Sequence, residues 1–392
     1  MNTIQLQKNI ISGWKQLRLG EVCRIYDGTH QTPTYTQKGV PFYSVEHVTS
    51  NNFQNTKFVS EDVYEKESKR ISIEKGDILM TRIGDIGTTK YIDWDPKASF
   101  YVSLALIKCK KDVNSKFINF VINSDYFKNE LRARTLTVAF PNKINLGDIS
   151  KCNLLFPSIS EQNRIVSVLE TWDKAIEKLS KKIAVKKQVK KGLLQNLLTG
   201  KKRLHRFNDN WEVISLGEIC KIKTGKKDVN EGNPSGIYPF FTCAKNHTYS
   251  DNYSFDTEAI LIAGNGEVGN CQYYKGKFEA YQRTYVLTDI KKDVQYVFAY
   301  LRYFFQNTIN SQKQMGAMPY IKLGMLQKYQ IKIPESIEEQ ESISNILTTA
   351  DKEIAELEEK LEILNEQKRY LLNNLITGTI RTPETLSIKV TQ

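Results

Sequence analysis

Two stretches of about forty residues carry the clearest alternation of apolar and polar positions. Ile343, Leu347, Ala350, Ile354, Leu357, Leu361, Leu364, Lys368, Leu371 and Leu375 alternate spacings of four and three, the heptad pattern of a helix packed along one seam. Shifted back by 178 positions, the same seam reads Ile165, Leu169, Trp172, Ile176, Leu179, Ile183, Lys186, Lys190, Leu193 and Leu197, with lysines in its lower third. Ser158-x-x-Glu161 and Ser336-x-x-Glu339 form capping boxes just after Pro157 and Pro334, and Gly200 and Gly378 come after L-L-T and L-I-T as stops. Each helix is therefore roughly 60 Å long at 1.5 Å per residue. The stretches 14–157 and 211–334 read differently. Short β-rich runs such as Val40–Val45 and Ala259–Ala263 are broken by Gly, Asn and Asp turns, with one helix expected near Ser115–Arg134 and another near Val294–Asn310. Such a mixture is α+β rather than a regular βαβ alternation.

The chain is one unit written twice. Trp14–Cys23 (W-K-Q-L-R-L-G-E-V-C) matches Trp211–Cys220 (W-E-V-I-S-L-G-E-I-C). Ile78-Leu79 followed by Gly84-Asp85-Ile86-Gly87 matches Ile260-Leu261 followed by Gly266-Glu267-Val268-Gly269. Pro141, Ile144, Leu146 and Gly147 match Pro319, Ile321, Leu323 and Gly324 with one residue fewer. The expected layout is 1–157 as a first globular domain, 158–200 as a central helical spacer, 201–334 as a second domain, 335–378 as a C-terminal helical spacer and 379–392 as a tail. Charge bears on what the helices pack against, the alternative being that each charge run is simply a solvated helix face. From Glu161 to Lys191 nine basic residues face four acidic ones, a net +5, whereas from Glu338 to Arg369 ten acidic residues outnumber four basic ones, a net −6. Opposite signs on equal seams favour pairing of the two helices with each other as an antiparallel coiled coil with a pseudo-two-fold internal repeat. The expected pairing residues are Ile165, Leu169, Trp172, Ile176 and Leu179 on the first helix and Ile343, Leu347, Ile354, Leu357 and Leu361 on the second. Lys190 and Lys368, at one shared heptad position, are expected to snorkel or to mark where the coil splays.

Composition narrows the function classes. With 392 residues and 40% apolar content the chain can bury more than one core. No apolar run approaches the ~18 residues of a membrane span, and Met1–Gly13 holds no secretory signal, so a cytoplasmic location is expected. Six scattered cysteines without C-x-x-C spacing and four histidines without a paired motif predict free thiols and no metal site. The formal charge of +12 suits a polyanionic partner, of which nucleic acid is the commonest.

The loops mix hydroxyls, amides, aromatics and cations able to meet base edges and phosphates: Tyr26–Tyr35 in the first copy, and Thr224–Lys227 with Cys243–His247 in the second. Candidate DNA contacts are Thr29, His30, Gln31, Thr32, Tyr35, Arg82, Lys226, Lys227, Lys245 and Asn246. Catalytic motifs fail one by one. Gly264–Gly269 formally satisfies G-x-G-x-x-G, but the next residues, Asn270–Tyr274, read as a strand and not a helix, so a turn is expected. Asn233-Pro234-Ser235-Gly236 is not the N-P-P-[FY] of an amino-methyltransferase. Thr199-Gly200-Lys201-Lys202 and Thr224-Gly225-Lys226-Lys227 lack the rest of a phosphate-binding loop. The residues leave three functions open: a DNA-binding module without its own active site, a duplicated coiled-coil scaffold for which the heptads alone suffice, and a nuclease or methyltransferase with a degenerate motif.

Taken together, the stretches Trp14–Cys23 and Trp211–Cys220, the run Asp27–Pro33, the segment Gly76–Arg82 with Gly84 and Gly87, Lys143-Ile144-Asn145, and the junctions Pro157 with Glu161-Gln162 and Pro334 with Glu339-Gln340 resemble the specificity (S) subunits of type I restriction-modification systems. The resemblance covers essentially the whole chain. Lys322 replaces the Asn seen at Asn145, and Ser158 and Ser336 stand where a second proline is common; both departures lie at a structural junction. The resemblance implies two tandem target-recognition domains, each followed by a long helix. It implies a non-catalytic subunit that reads a bipartite asymmetric site in double-stranded DNA. It further implies as partners two methyltransferase subunits and translocating restriction subunits, to which S-adenosylmethionine, ATP and Mg belong, with no cofactor in this chain. Because members read different sequences, no base-contacting residue carries over.

Overall fold

The structure, a computed structural model, describes residues 13–137, 140–309 and 320–386. Pro319, one member of the internal match, and Asn310, the expected end of a helix, lie outside the described residues. The chain divides into two units, residues up to Lys178 together with Lys360 onward, and Leu179–Glu359.

In the first unit the chain runs β1 (Lys15–Arg18), α1 (Leu19–Val22), β2 (Cys23–Asp27), β3 (Val40–Tyr43), α2 (Val45–Ser50), β4 (Lys57–Val59), α3 (Glu61–Ser68), β5 (Ile78–Ile83), β6 (Asp85–Tyr91), β7 (Ser99–Phe100), β8 (Leu104–Cys109), α4 (Ser115–Asn123), α5 (Asp125–Arg134), α6 (Leu146–Ser150) and β9 (Asn153–Phe156). A four-stranded sheet has the order β2-β8-β5-β6 and a three-stranded one the order β4-β3-β7, while β1 pairs with β9. The continuous apolar runs of β5 and β8 arise because both faces are covered. Ile78, Met80, Ala105 and Ile107 point to a core with Phe117, Phe127 and Leu131. Leu79, Leu104 and Leu106 point the other way, to Tyr43, Ile92 and Phe100. The single helix expected near Ser115–Arg134 is two, because Ser124 adopts extended backbone and caps the second through Phe127 N at 3.3 Å.

The central helix α7 (Ile159–Leu197) begins in this unit, and the end of the C-terminal helix, Ile337–Ile376, also belongs to it. Ile165 and Leu169 share a core with Leu372, Leu375 and Ile376, and Lys368 reaches Asp173, so the two stretches run antiparallel.

The second unit repeats the plan: β10 (Trp211–Ser215), α8 (Leu216–Ile219), β11 (Lys221–Thr224), β12 (Tyr238–Phe241), β13 (Thr248–Ser250), β14 (Phe255–Ala263), β15 (Cys271–Ala280), β16 (Thr284–Thr288), α9 (Val294–Tyr300), α10 (Leu323–Gln327), β17 (Gln330–Pro334) and α11 (Ile337–Ile376). Here the sheets merge into six strands, β11-β16-β14-β15-β12-β13, because the uninterrupted β15 pairs with both β14 and β12. In the first unit Asp95-Pro96 separates the corresponding strands β6 and β7, and proline supplies no N–H for a ladder. The two-faced burial recurs, with Ile260, Ile262 and Leu287 on one side and Ala259, Leu261 and Val286 on the other. Gly264–Gly269 joins β14 to β15 as a turn in which Gly269 N donates to Ala263 O at 2.8 Å; no helix opens there. Leu193, Leu194 and Leu197 of α7 share the core with Ile343 and Leu347 of α11, and Lys186 pairs with Glu353 at 2.7 Å. All ten expected seam residues are buried or half-buried. Lys190 and Lys368 do not open the seam: each stays half-buried and reaches an aspartate of the facing helix, Asp351 and Asp173.

Helix starts depart from the expected capping boxes. Ser158 and Ser336 do cap, accepting from Glu161 N at 3.4 Å and Glu339 N at 3.3 Å. The glutamates turn away instead of reaching back. Buried Glu161 accepts from Trp14 Nε1 at 3.0 Å and from Arg381 at 2.5 and 2.8 Å. Glu339 takes Arg203 at 3.1 and 2.6 Å. Each arginine closes a T-G-x-x-R segment whose glycine, Gly378 or Gly200, has the positive φ that ends a helix.

Candidate nucleic-acid interface

Both units place a polar loop directly after the strand that succeeds the L-G-E motif. Gly28, next after β2, packs against the Phe100 carbonyl so closely that a Cβ would collide with it, and Gly225, next after β11, does the same against the Ala280 carbonyl. The exit strands are matched too. Thr29 bridges Tyr101 and accepts from Val102 N at 3.0 Å; Lys227 bridges Tyr281 and accepts from Gln282 N at 2.9 Å. The two loops thus occupy one position in the repeat with different side chains, Gly28-Thr29-His30-Gln31-Thr32 against Gly225-Lys226-Lys227-Asp228.

In the first unit the structure gathers two of the candidates, His30 and Arg82, around Asp27. Its carboxylate takes Arg70 Nη1 at 3.1 Å and His30 Nε2 at 2.7 Å, with Arg82 Nη2 at 3.7 Å. Burial opposes the charged form of Asp27, but Arg70 and then His30 outweigh it and hold the pKa below the ordinary carboxylate value. Arg82 is buried and directed inward, donating to the carbonyls of Val102 at 2.8 Å and Ile144 at 3.1 Å; burial lowers its pKa against the opposing pull of Asp27. Thr29 donates to Gln31 O at 3.2 Å, Thr32 lies 3.3 Å from the Tyr101 hydroxyl, and Gln31 is exposed. Tyr35 stands edge-on to Phe42 with Lys57 Nζ 4.7 Å from its ring centre. The loop, with Lys66 and Arg70, lines a cleft of about 710 Å³ whose wall includes Ser99, a buried hydroxyl without a partner among the described residues.

In the second unit Lys226 is exposed, while Lys227 is half-buried, 3.4 Å from Ser250 Oγ and 3.8 Å from the fully buried Glu279. Lys245 and Asn246 are exposed on the loop after β12, which Glu267 N ties down through Cys243 O at 2.9 Å. Phe241 connects the two loops, accepting from Tyr281 N at 3.0 Å and packing on His247. Asp27, Arg70 and Glu279 were not among the sequence candidates. Asp27 opens the Asp27–Pro33 run, but Arg70 lies 43 residues from it in sequence with no local signature. Among the described residues no group of three or more His, Cys, Asp or Glu could hold a metal ion, and no helix is long and apolar enough to cross a membrane.

These paired loops on a duplicated framework match a known family. The model of the type I restriction modification DNA specificity domain fits residues 11–187 and again 208–366. The chain belongs to that family. Its members read DNA targets for type I restriction-modification systems as the non-catalytic specificity component. The EcoDI specificity subunit of Escherichia coli is 33% identical over 174 residues, 44% of this chain and 39% of that one, so this match spans about two fifths of the relative. A putative MjaX specificity subunit of Methanocaldococcus jannaschii is 24% identical over 88% of both chains. Among solved structures, the S subunit from M. genitalium aligns with a TM-score of 0.64 at 16% identity, covering 94% of this chain and 97% of that one. A chain from work on complex assembly in a type I system aligns at 0.59, with 16% identity and coverage of 95% and 100%. At that identity the likeness shows the fold.

Proposed function

We propose that the specificity subunit reads a bipartite, asymmetric site in double-stranded DNA, one short half-site per unit with a degenerate gap between, and brings two methyltransferase subunits and the restriction subunits to it. The observation that carries this is the pair of equivalent loops, anchored alike on both frameworks and differing in the side chains they present. A framework kept constant while its polar tips differ is what two readers of different sequences require. On this reading Gln31, Thr32, Lys226, Lys245 and Asn246 face DNA, whereas Arg82 and Lys227 hold loops in place. S-adenosylmethionine, ATP and Mg serve the partner subunits. The likeness to a chain solved in connection with complex assembly of a type I system supports the partner assignment.

The test is to assemble the chain with a methyltransferase subunit from an adjacent reading frame and sequence the modified positions in a random duplex pool. Two short conserved blocks separated by a fixed gap are expected, and the chain alone neither methylates nor cuts. Methylation without sequence preference would refute the reading, and assembly indifferent to DNA would favour a scaffold.

A further inference from the structure

Asp27 is the hub of the first unit's loop. Besides its carboxylate contacts, Arg70 Nη2 donates to the backbone carbonyls of Asp27 at 2.5 Å and Gly28 at 3.0 Å, so one guanidinium grips both side chain and main chain. His30 closes the other carboxylate oxygen at 2.7 Å, and Thr29 N donates to Phe100 O at 3.0 Å. The backbone from Asp27 to His30 is thus held at both ends and in the middle. Next in sequence, Gln31 has its carbonyl held by Thr29 Oγ1, while its exposed side-chain amide makes no hydrogen bond among the described residues. The loop combines a fixed backbone with a free carboxamide. Among its neighbours, His30 and Arg82 engage Asp27, and the Thr32 hydroxyl lies within reach of the Tyr101 hydroxyl.

Building on the proposed DNA-reading function, we infer that Gln31 is a specificity-determining residue that reads an adenine, and that Asp27 is the positioning residue that aims it. A carboxamide offers one acceptor and one donor side by side in a plane. The major-groove edge of adenine presents the complementary pair, N6–H₂ and N7, and neither guanine, cytosine nor thymine does. A glutamine on a mobile loop would lose rotamer and backbone freedom on docking; a loop already latched by Arg70 loses less, so more of the contact appears as discrimination.

The experiment uses the full chain in its assembled methyltransferase, with modified sites sequenced from a random duplex pool for wild type, Gln31→Ala, Asp27→Asn and Arg70→Lys. For Gln31→Ala, one A·T position of one half-site is expected to lose roughly 5- to 150-fold of its discrimination. The second half-site, read by the other unit in the same molecules, stays unchanged. Asp27→Asn should broaden that position and its immediate neighbours, again in one half-site. Mere loss of stability would lower modification at both halves without changing which bases are preferred. Should Asp27→Asn fail to fold by circular dichroism, Arg70→Lys, which keeps the charge and removes the two-pronged grip, carries the same expectation. An unchanged site for Gln31→Ala overturns the reader and leaves the DNA-reading function intact. A sharp site for both Asp27→Asn and Arg70→Lys overturns the positioning role. Wild type without any preferred sequence refutes the underlying function instead.

Discussion

All six cysteines are free, and their surroundings differ. Burial pushes the thiols of Cys152, Cys220 and Cys271 up to about 12. Cys23 is raised further, first by the Cys109 thiol facing it across β2 and β8 at 3.1 Å and then by burial. Thiolate is the reactive form, so near neutral pH these four should alkylate much more slowly than a free thiol. Iodoacetamide labelling followed by peptide mass analysis is expected to leave them unmodified in the native chain and to label all six in guanidinium; rapid native labelling of Cys23 would contradict this packing. Asp27 adds a pH window. Its pKa is depressed in the folded chain, so its stabilisation is present above the unfolded carboxylate value of about 3.9 and is lost as pH falls through the lower folded value. The loop latch therefore holds throughout the neutral range.

At the scale of elements, both long helices start and stop by the same device. A T-G-x-x-R segment leaves the end of one helix and its arginine closes on the glutamate at the start of the other, Arg381 on Glu161 and Arg203 on Glu339. Arg381→Ala leaves the buried Glu161 carboxylate with Trp14 as its remaining donor among these partners. The expected cost is about 1–3 kcal/mol, below that of a fully buried pair because the Arg381 side chain is 43% exposed. Trp211 Nε1 is buried without a partner among the described residues, so there Glu339 has no tryptophan to fall back on. Arg203→Ala should lower the melting temperature more than Arg381→Ala, as calorimetry of the two variants would show. The reverse order would mean that the tryptophan bond contributes nothing. Along the pair, Lys186 with Glu353 and Lys187 with Glu358 lie at 2.7 and 2.6 Å near the surface, where single pairs contribute little. Lys186→Glu with Lys187→Glu replaces attraction by repulsion and is expected to destabilise the second unit by about 1–2 kcal/mol at low salt. The deficit should shrink in ~1 M NaCl, and a salt-independent deficit would point to lost packing.

For the whole molecule, the helix α7 begins in one unit and ends in the other, and α11 does so in the opposite order. If helix length sets the gap in the target, lengthening both helices where they change unit should lengthen the gap and leave the half-sites alone. An insertion after Gln195 would fall among Leu193, Leu194 and Leu197, already in the second unit's core, and would break packing. One heptad between Lys178 and Leu179 and another between Glu359 and Lys360 keep the seam in phase and add roughly 10 Å. At ~3.4 Å per base pair the gap is expected to grow by about three base pairs. Sequencing of modified sites checks it, and an active complex with an unchanged gap would refute helix length as the determinant.

Periodicity made much of this protein readable in advance. The heptads of α7 and α11 are written in spacings of three and four residues, β3 and β14 in short apolar runs between turn residues, and the turn at Gly264–Gly269 in its glycines, and burial tracks the helical spacings directly. The duplication showed that one plan served both units. What tertiary structure alone decided are pairings between positions with no local pattern: Arg70 on Asp27 across 43 residues, and Arg381 on Glu161 across 220. It also decided which polar loop residues turn inward, sending Arg82 to the carbonyls of Val102 and Ile144 and leaving Gln31 exposed. An ion pair needs two charges within about 4 Å, a condition set by how the chain returns on itself and not by neighbours in sequence. Residue type therefore announced a polar loop, and the fold chose which of its side chains are free to read.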